Sequence, residues 1–315
     1  MNGIQIIAPG RLHMGFLDMG GALGRKFGSI GVGINELATR LSVKPAKVLG
    51  IQGPGADRAL AIVRKLGALT GMDFRVSIHI DSVIPDHAGL GSGTQMALAI
   101  GVALSRLHGL NLPVRDIAAM VERGARSGIG IAVFEQGGLL VDAGRGENTR
   151  VPPVIARMEM PPDWRFIIVL DHRDQGLHGT AEIDAFRRLP VFPEAEAARL
   201  CHLLVMRGLP AVAEHDLAAF GSVITELQRA VGEHFAPAQG GCFTSSDVQA
   251  AITFLAEHGA VGLGQSSWGP TGFSMVATPA LAESLLTAAR HHFRSHPKLE
   301  FLMGTPRNQG ALITG

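Results

Sequence analysis

The sequence predicts a two-domain protein of mixed strands and helices, in the α+β or α/β class. The length of 315 residues corresponds to about two domains of ordinary size. Hydrophobic residues make up 46% of the chain and charged residues 17%, which is enough apolar material for packed cores. Apolar runs typical of strands also alternate with longer helical segments along the chain, and such a mixture requires layers of sheet and helix.

The expected elements fall into two groups on either side of a proline-rich junction. Before it we expect strands at 4–8, 74–81 and 139–141 and helices at 93–107 and 114–125. After it we expect strands at 166–170, 273–277 and 300–303 and helices at 194–207, 216–232, 247–258 and 281–293. The segment 74–81 alternates apolar and polar residues, which is typical of a half-buried strand. The proline pairs at 152–153 and 161–162 place the domains at 1–158 and 159–315.

Composition excludes several classes of function. Lys and Arg total 28, Asp and Glu total 27, and no basic run is long enough to follow a nucleic-acid backbone, so we expect no nucleic-acid partner. We see no signal peptide and no apolar run near the roughly 20 residues of a membrane span. Cys201 and Cys242 stand alone, which favours reduced thiols in a cytoplasmic protein over disulfides or a cysteine metal site.

A glycine-rich segment at 85–97 joins an expected strand to the long helix at 93–107. Gly89, Gly91 and Gly93 let backbone amides approach an anion closely, because they carry no side chain. The helix directs its free N–H groups and the positive end of its dipole at the same place. Ser92 and Thr94 add hydroxyl groups. The pattern predicts a site for a di- or triphosphate, and the alternative is an ordinary capped glycine turn.

Three segments in order resemble the galactokinase–homoserine kinase–mevalonate kinase–phosphomevalonate kinase (GHMP kinase) superfamily. They are residues 8–13 (APGRLH), residues 85–94 (PDHAGLGSGT) and residues 264–273 (GQSSWGPTGF), which together span almost the whole chain. The resemblance implies a two-domain GHMP-kinase-like α+β fold. Its N-terminal domain would be of the ribosomal protein S5 domain 2 type, and its C-terminal α/β domain would be ferredoxin-like. The resemblance also implies a homodimer.

One position departs from the kinases of that superfamily. They often carry Ser-Gly-Ile-Asp ahead of a Gly-Gly pair, and the Asp is their catalytic base. Here residues 127–130 read Ser-Gly-Ile-Gly, so Gly130 stands at the place of that carboxylate, ahead of Gly137 and Gly138. Glycine cannot orient a hydroxyl group or accept its proton, and this disfavours phosphate transfer.

Three further segments resemble one branch of the superfamily, the β-ribofuranosylaminobenzene 5'-phosphate synthases. They are residues 11–18 (RLHMGFLD), residues 25–31 (RKFGSIG) and residues 175–182 (QGLHGTAE), in which the branch often has Ser at the position of His178. This implies an enzyme that joins 4-aminobenzoate, or a close analogue, to phosphoribosyl pyrophosphate and releases carbon dioxide and pyrophosphate. Its pathway makes the one-carbon carrier methanopterin. Because carbon dioxide leaves in place of a ring proton, the reaction needs no strong base.

The resemblance also implies roles for individual residues. The expected catalytic residues are Arg11, His13, Asp18 and Glu182. The expected pyrophosphate ligands are Gly89, Leu90, Gly91, Ser92, Gly93 and Thr94, with Mg²⁺ held by Ser92 and Asp18. The expected substrate contacts are Arg25, Ser29, His178, Ser266, Ser267, Trp268 and Gly269, and Lys26 is a further candidate.

Two other functions stay open on the sequence alone: an ATP-dependent small-molecule kinase and a non-catalytic, ligand-binding member of the superfamily. Trp268 could stack on the aromatic substrate or simply fill the core. Glu182 could be a carboxylate that favours a helix dipole. His291, His292 and His296 lack the spacing of helical metal ligands, so we interpret them as surface residues.

Overall fold

A computed structural model describes residues 3–173, 176 and 179–315, with the backbone alone for 179–183. The strands are β1 (Ile4–Asp18), β2 (Phe27–Pro45), β3 (Gly50–Gln52), β4 (Val76–Ser82), β5 (Leu139–Asp142), β6 (Val154–Met158), β7 (Arg165–Asp171), β8 (Val261–Gln265), β9 (Gly272–Val276), β10 (Leu299–Gly304) and β11 (Leu312–Thr314). The α-helices are α1 (Ala56–Thr70), α2 (Ser92–Leu107), α3 (Val114–Met120), α4 (Ile129–Glu135), α5 (Gly179–Arg188), α6 (Glu194–Leu203), α7 (Leu209–Ala213), α8 (Leu217–Gln239), α9 (Ser246–Glu257) and α10 (Pro279–His292). Among these described helices, none has the length and apolar character needed to cross a membrane.

The first sheet is built around the long antiparallel pair β1 and β2. Its strand order is β11, β1, β2, β4 and β3, and β5 and then β6 continue the sheet beside the first part of β2. Strands β3 and β4 pair in parallel. Helices α1 and α2 pack apolar residues such as Leu66 and Ile100 against Ile6 and Val43 of this sheet. The N-terminus of α2, which follows the glycine-rich segment, is thereby fixed relative to β1.

The second sheet is antiparallel, with strand order β10, β7, β9 and β8. Strand β7 is buried on both faces. Phe166 and Ile168 join the core that reaches α8 and β1, whereas Ile167 and Val169 pack with α9 and α10. Burial on both faces explains why this strand reads as an uninterrupted apolar run in the sequence.

The predicted domain boundary falls between the two sheets, because β6 ends at Met158 and β7 begins at Arg165. One segment crosses back, however. After β10 the chain returns to the first domain, and β11 pairs with β1 at Ile6 and Ile313. The end of the predicted C-terminal domain therefore completes the N-terminal sheet. No local pattern indicates this, because pairing between distant strands depends on tertiary structure.

Several predicted element ends were wrong. The strand predicted at 4–8 continues to Asp18, because a register shift after Pro9 lets its pairing with β2 resume. The helix predicted at 114–125 ends at Met120, after which the N–H of Arg123 donates to the carbonyl of Ala118 at 2.8 Å and closes the helix end. The helix predicted at 194–207 changes to a π-helical turn, Leu204–Gly208.

Other elements were not predicted or were predicted too short. Helix α8 continues beyond the predicted end at 232, through Pro237, to Gln239. Strand β2 and helices α1 and α4 were missed. Helix α1 did carry a signal, since its buried residues Ala59, Ile62 and Leu66 recur at helical spacing.

Candidate active site

A cleft of about 540 Å³ brings together residues of both domains. Its wall comprises Arg11, His13, Phe16, Arg58, His87, residues 89–94, residues 122–127, Gly176 and residues 267–269. Each of the three superfamily motifs contributes to this wall. The structure therefore brings the predicted loop, the N-terminal motif and the C-terminal motif to one place.

The glycine-rich segment folds as the sequence predicts. Gly89 and Gly91 have left-handed φ values of 72° and 87°, and Gly91 immediately precedes the first turn of α2. A Cβ atom on Gly89 would lie 2.1 Å from the carbonyl oxygen of Ser266, so only glycine fits there. The free N–H groups at the start of α2, including those of Ser92 and Gly93, are available to an anion in the cleft.

Ser266 links the three motifs. Its Oγ donates to the carbonyl of Gly89 at 2.7 Å and accepts the backbone N–H of His13 at 2.9 Å. The Arg11 side chain donates to the same Gly89 carbonyl. Ser266 is fully buried, so these bonds lie in a low-dielectric environment. The sequence prediction made Ser266 a substrate contact, whereas the structure gives its hydroxyl a positioning contact with the loop.

We expect Ser266→Ala to lower the free energy of unfolding by about 1–3 kcal/mol, because the buried N–H of His13 loses its acceptor. Urea unfolding followed by circular dichroism measures this change. Ser222→Ala is the matched control, since Ser222 is exposed on α8 and bonds only locally, to Ala219. Equal stability of the two variants would show that the Ser266 bridge contributes nothing.

His13 is buried, with 2% of its surface exposed, and its ring centroid lies 4.6 Å from that of Phe16. Burial, reinforced by the nearby positive charge of Arg11, lowers the pKa of His13 to about 3. The imidazole is therefore neutral at physiological pH. Its Nε2 atom is buried without a hydrogen-bond partner in the described part of the chain. A neutral imidazole at the cleft wall can orient a substrate by hydrogen bonding, but it is a weak proton acceptor.

The lowered pKa of His13 also predicts a pH dependence of stability. The unfolded chain binds a proton at this histidine below about pH 6.5, whereas the folded chain stays neutral down to about pH 3. We expect stability to fall by about 1.4 kcal/mol per pH unit as pH decreases through that window. In His13→Phe this contribution should be absent. Urea unfolding at pH 7 and pH 5 tests it, and an unchanged acid slope in His13→Phe would contradict it.

Ser29 lies behind the cleft wall. Its Oγ is fully buried and lies 2.5 Å from Oδ2 of Asp142 and 2.7 Å from Oγ of Ser127, which lines the cleft. Asp142 also accepts the N–H of Gly128 at 2.9 Å and that of Gly144 at 2.8 Å. Burial raises the pKa of Asp142, while these hydrogen bonds oppose the rise. The structure thus places Ser29 in a network that fixes the segment before α4. Ser29 was predicted to contact the substrate, but it reaches the cleft only through Ser127.

Gly130 lies directly beside the loop. A Cβ atom at this position would lie 3.3 Å from Cγ2 of Thr94 and 3.7 Å from its Oγ1. The Gly130 carbonyl accepts a hydrogen bond from Gln95 Nε2 at 2.7 Å. The position that carries the kinases' carboxylate therefore faces the start of α2, and in this chain it offers only backbone.

The C-terminal motif forms the opposite wall, with Ser267, Trp268 and Gly269 all lining the cleft. Trp268 is 3% exposed, and its ring stacks on that of Phe235 with centroids 4.1 Å apart. The Trp268 ring therefore belongs to the core, although the residue contributes to the cleft wall. Phe186 contacts Trp268 edge-on at 5.4 Å, and this aromatic cluster supports the wall.

Two predicted residues stand apart from the cleft wall. Oδ1 of Asp18 accepts the N–H groups of Gly20 and Gly21 at 2.8 Å each. Asp18 is seven residues beyond Arg11 along β1, which is roughly 20 Å at the rise of a strand. The exposed Arg25 donates to the carbonyls of Ala143 and Gly144, at 2.9 Å each, and so braces a loop.

The same geometry decides which residues fit a metal. Ser92, at the cleft, fits Mg²⁺ as one protein oxygen, because this ion usually takes one or two protein ligands together with phosphate oxygens. Asp18 and Ser92 are not brought together. Within the described ranges, no group of three His, Cys, Asp or Glu side chains is placed to hold a metal ion. His178 and the side chain of Glu182 lie outside the described residues.

Sequence reasoning missed three arginines of the cleft: Arg58, Arg123 and Arg126. Arg126 lies over the ring of Phe186, 5.2 Å from its centroid, and Arg58 forms an ion pair with Asp86. None of them belongs to a motif. The position of Arg126 beside Ser127 and Gly128 was a usable signal, because that segment was already recognised as superfamily-like.

Comparisons with known proteins identify the family of the chain. The family model "GHMP kinases N terminal domain" matches residues 56–138, and "GHMP kinases C terminal" matches residues 209–295. A β-ribofuranosylphenol 5'-phosphate synthase of Methanothermobacter thermautotrophicus is 30% identical, covering 86% of this chain and 88% of that protein. A protein of the same name from Archaeoglobus fulgidus is 31% identical over 98% of this chain and 99% of its own length. The chain belongs to the β-ribofuranosylphenol 5'-phosphate synthase family.

Membership of the β-ribofuranosylphenol 5'-phosphate synthase family confirms the branch and the enzyme type predicted from the motifs. The name of the family refers to a phenol, whereas the motifs led us to expect an aminobenzene. Solved structures confirm the GHMP-kinase-like fold. The L. major mevalonate kinase in complex with R-mevalonate aligns with a TM-score of 0.71 at 16% identity, covering 96% of each chain. A homoserine kinase of Cytophaga hutchinsonii aligns with a TM-score of 0.66 at 17% identity, covering 100% of this chain and 98% of its own.

Proposed function

We propose that this enzyme transfers the 5-phosphoribosyl group of phosphoribosyl pyrophosphate to a para-substituted benzoate, with release of carbon dioxide and pyrophosphate, in methanopterin biosynthesis. One observation carries the proposal: the anion loop of the superfamily is intact, while Gly130 replaces the kinases' carboxylate beside it. A site built to hold phosphates without a base for a hydroxyl group suits a reaction in which pyrophosphate departs and no hydroxyl proton is removed.

The charge of the cleft supports a polyanionic donor. Four arginines line it, namely Arg11, Arg58, Arg123 and Arg126. The cleft also includes Glu122, but that carboxylate pairs with Lys65 at 2.6 Å and is largely exposed. Phosphoribosyl pyrophosphate carries phosphate groups at both ends, and guanidinium groups bind such groups through paired hydrogen bonds.

The reaction proceeds by displacement at C1 of the ribose. The bond between C1 and the pyrophosphate oxygen breaks, and its electron pair leaves with pyrophosphate. A ring carbon of the benzoate, the one that bears the carboxylate, forms the new bond to C1. The bond from this carbon to the carboxylate then breaks, its electrons restore the aromatic ring, and carbon dioxide departs. The N–H groups at the start of α2, such as those of Ser92 and Gly93, stabilise the charge that develops on pyrophosphate, and bound Mg²⁺, with Ser92 as its protein ligand, would supply further neutralisation.

The aromatic acceptor would lie against the wall formed by Phe16 and Trp268, with the neutral imidazole of His13 in hydrogen-bonding reach of its substituents. The family name contains a phenol, so we propose 4-hydroxybenzoate as an acceptor in addition to 4-aminobenzoate. Both rings carry an electron-donating group opposite the carboxylate, which activates the attacked carbon.

Joint measurement of the two released products tests the proposal. The enzyme is incubated with phosphoribosyl pyrophosphate, Mg²⁺ and either benzoate labelled in its carboxyl group. We expect carbon dioxide and pyrophosphate in equal amounts, and neither product after chelation of the metal. Release of pyrophosphate without carbon dioxide would show that water or another nucleophile accepts the ribose, and the proposed function would be wrong.

The kinase alternative makes the opposite prediction. Because Gly130 offers no carboxylate, we expect no ADP formation above the alcohol-free rate when ATP is supplied with mevalonate, homoserine or galactose. A coupled ADP assay measures this directly. Multiple-turnover ADP formation that requires one of these alcohols would favour the kinase instead.

A further inference from the structure

Arg123 occupies a fixed position in the cleft that no superfamily motif accounts for. Beyond the end of α3 at Met120, Glu122 lies in the left-handed region at φ 56°, and Gly124 follows at φ 87°. The N–H of Arg123 donates to the carbonyl of Ala118, and that of Glu122 to the carbonyl of Ala119 at 3.1 Å. This closed helix end turns the chain so that the Arg123 side chain lines the cleft.

The guanidinium group of Arg123 lies flat against the first turn of α2. A Cβ atom on Gly93 would be 3.4 Å from Nη2, 3.5 Å from Cζ and 3.5 Å from Nη1. Three nearly equal distances mean that the plane of the guanidinium group faces Gly93. Its N–H groups, which lie in that plane, are then directed along the surface where the free N–H groups of α2 begin.

In the described part of the chain, only the neighbouring carboxylate of Glu122 offsets the charge of Arg123. Its Nε is buried without a hydrogen bond, and it forms no salt bridge there. Its neighbours are already engaged, since Arg58 pairs with Asp86 and Glu122 pairs with Lys65. Burial and the nearby charge of Arg58 lower the pKa of Arg123. An anion beside Gly93 would compensate the rest of this charge and pair with the Nη groups of Arg123, whereas its Nε is enclosed by protein.

We propose that Arg123 is a ligand of the donor's pyrophosphate and holds it beside the first turn of α2. This inference rests on the proposed function and adds to it a recognition residue outside the superfamily motifs. The pyrophosphate, rather than the 5-phosphate, is the group that Arg123 contacts, because the guanidinium group packs on the same turn of α2 whose N–H groups belong to the anion loop.

Calorimetric titration of the purified enzyme with pyrophosphate and, separately, with ribose 5-phosphate tests this assignment. We expect Arg123→Met to weaken pyrophosphate binding by about 10- to 100-fold, as expected for loss of a charge-assisted hydrogen-bonded pair. The affinity for ribose 5-phosphate should not change. General damage to the cleft would instead weaken the binding of both ligands. Arg75→Met is the matched control, because Arg75 is exposed, does not line the cleft and pairs with Asp73.

The possible outcomes test the role of Arg123 separately from the proposed function. Unchanged pyrophosphate affinity in folded Arg123→Met, or a loss confined to ribose 5-phosphate, would overturn the role of Arg123. If Arg123→Met does not fold, Arg123→Lys keeps the charge but loses the planar fork, and we expect about a 3- to 10-fold loss of pyrophosphate affinity. Wild-type affinity in that variant would also overturn the assignment. Failure of the wild-type enzyme to bind either pyrophosphate or phosphoribosyl pyrophosphate would instead contradict the proposed function.

Discussion

Gly91→Val is expected to abolish binding of phosphoribosyl pyrophosphate and, with it, turnover. Gly91 has a φ of 87°, a conformation that a β-branched residue rarely adopts, and its Cβ would lie 3.2 Å from Cγ of Arg11. The branched side chain would therefore crowd Arg11 and cover the N–H groups at the start of α2. We expect the donor affinity to fall at least about 100-fold, since several anion contacts are lost together.

Gly71→Val is the matched control for this experiment. Gly71 has a similar φ of 71°, at the end of α1, and a Cβ atom there would meet nothing within 4 Å. Both variants therefore carry a comparable backbone strain, about 1–2 kcal/mol or more, but only one alters the loop. Calorimetry with the donor and a thermal unfolding curve for each variant separate the two effects. Wild-type donor affinity in folded Gly91→Val would show that the loop does not hold the donor.

An acceptor without a carboxylate is expected to give little or no product. Phenol or aniline would have to lose a ring proton after attack on C1, and this requires a base. Gly130 supplies none, and His13, with its pKa lowered to about 3, is a poor one. General-base catalysis typically contributes about 10²- to 10⁴-fold, so the rate should fall by that order relative to 4-hydroxybenzoate.

Single-turnover measurement at saturating acceptor is the appropriate test, because the missing carboxylate also weakens binding. The expected result is donor that remains bound and intact in the presence of phenol. Formation of the ribosylated ring from phenol at a rate close to that from 4-hydroxybenzoate would mean that a base exists in the cleft and that loss of carbon dioxide is not required.

The sequence predicted the local backbone wherever a motif fixes its shape. Gly89 and Gly91 take the left-handed conformations that the anion loop needs, and Ser266 meets the loop from the second domain. The sequence could not predict which groups face the cleft directly. Ser29 lies in a predicted motif yet bonds to Asp142 behind the wall. Asp142 is more than 100 residues away along the chain, so only the tertiary structure reveals this contact.

The fold was predictable to a similar extent. Strand β7 is buried on both faces, and its apolar run identified it without further information. Strand β2 was missed because its glycines and polar residues interrupt the alternation, although β1 and β5 hold it firmly on both sides. Helix α2 was placed within one residue of its observed start, because the loop defines its beginning.

The return of β11 to the first sheet has a mechanical consequence. The polypeptide crosses between the two domains twice, once after Met158 and once after Gly304. The two sheets are joined by packing as well, because Phe166 and Ile168 of β7 share one buried core with Met14 of β1. The hydrogen bond from Ser266 to Gly89 therefore crosses a joint that chain and core already hold, and its loss would loosen the contact between the loop and the C-terminal motif without separating the two sheets.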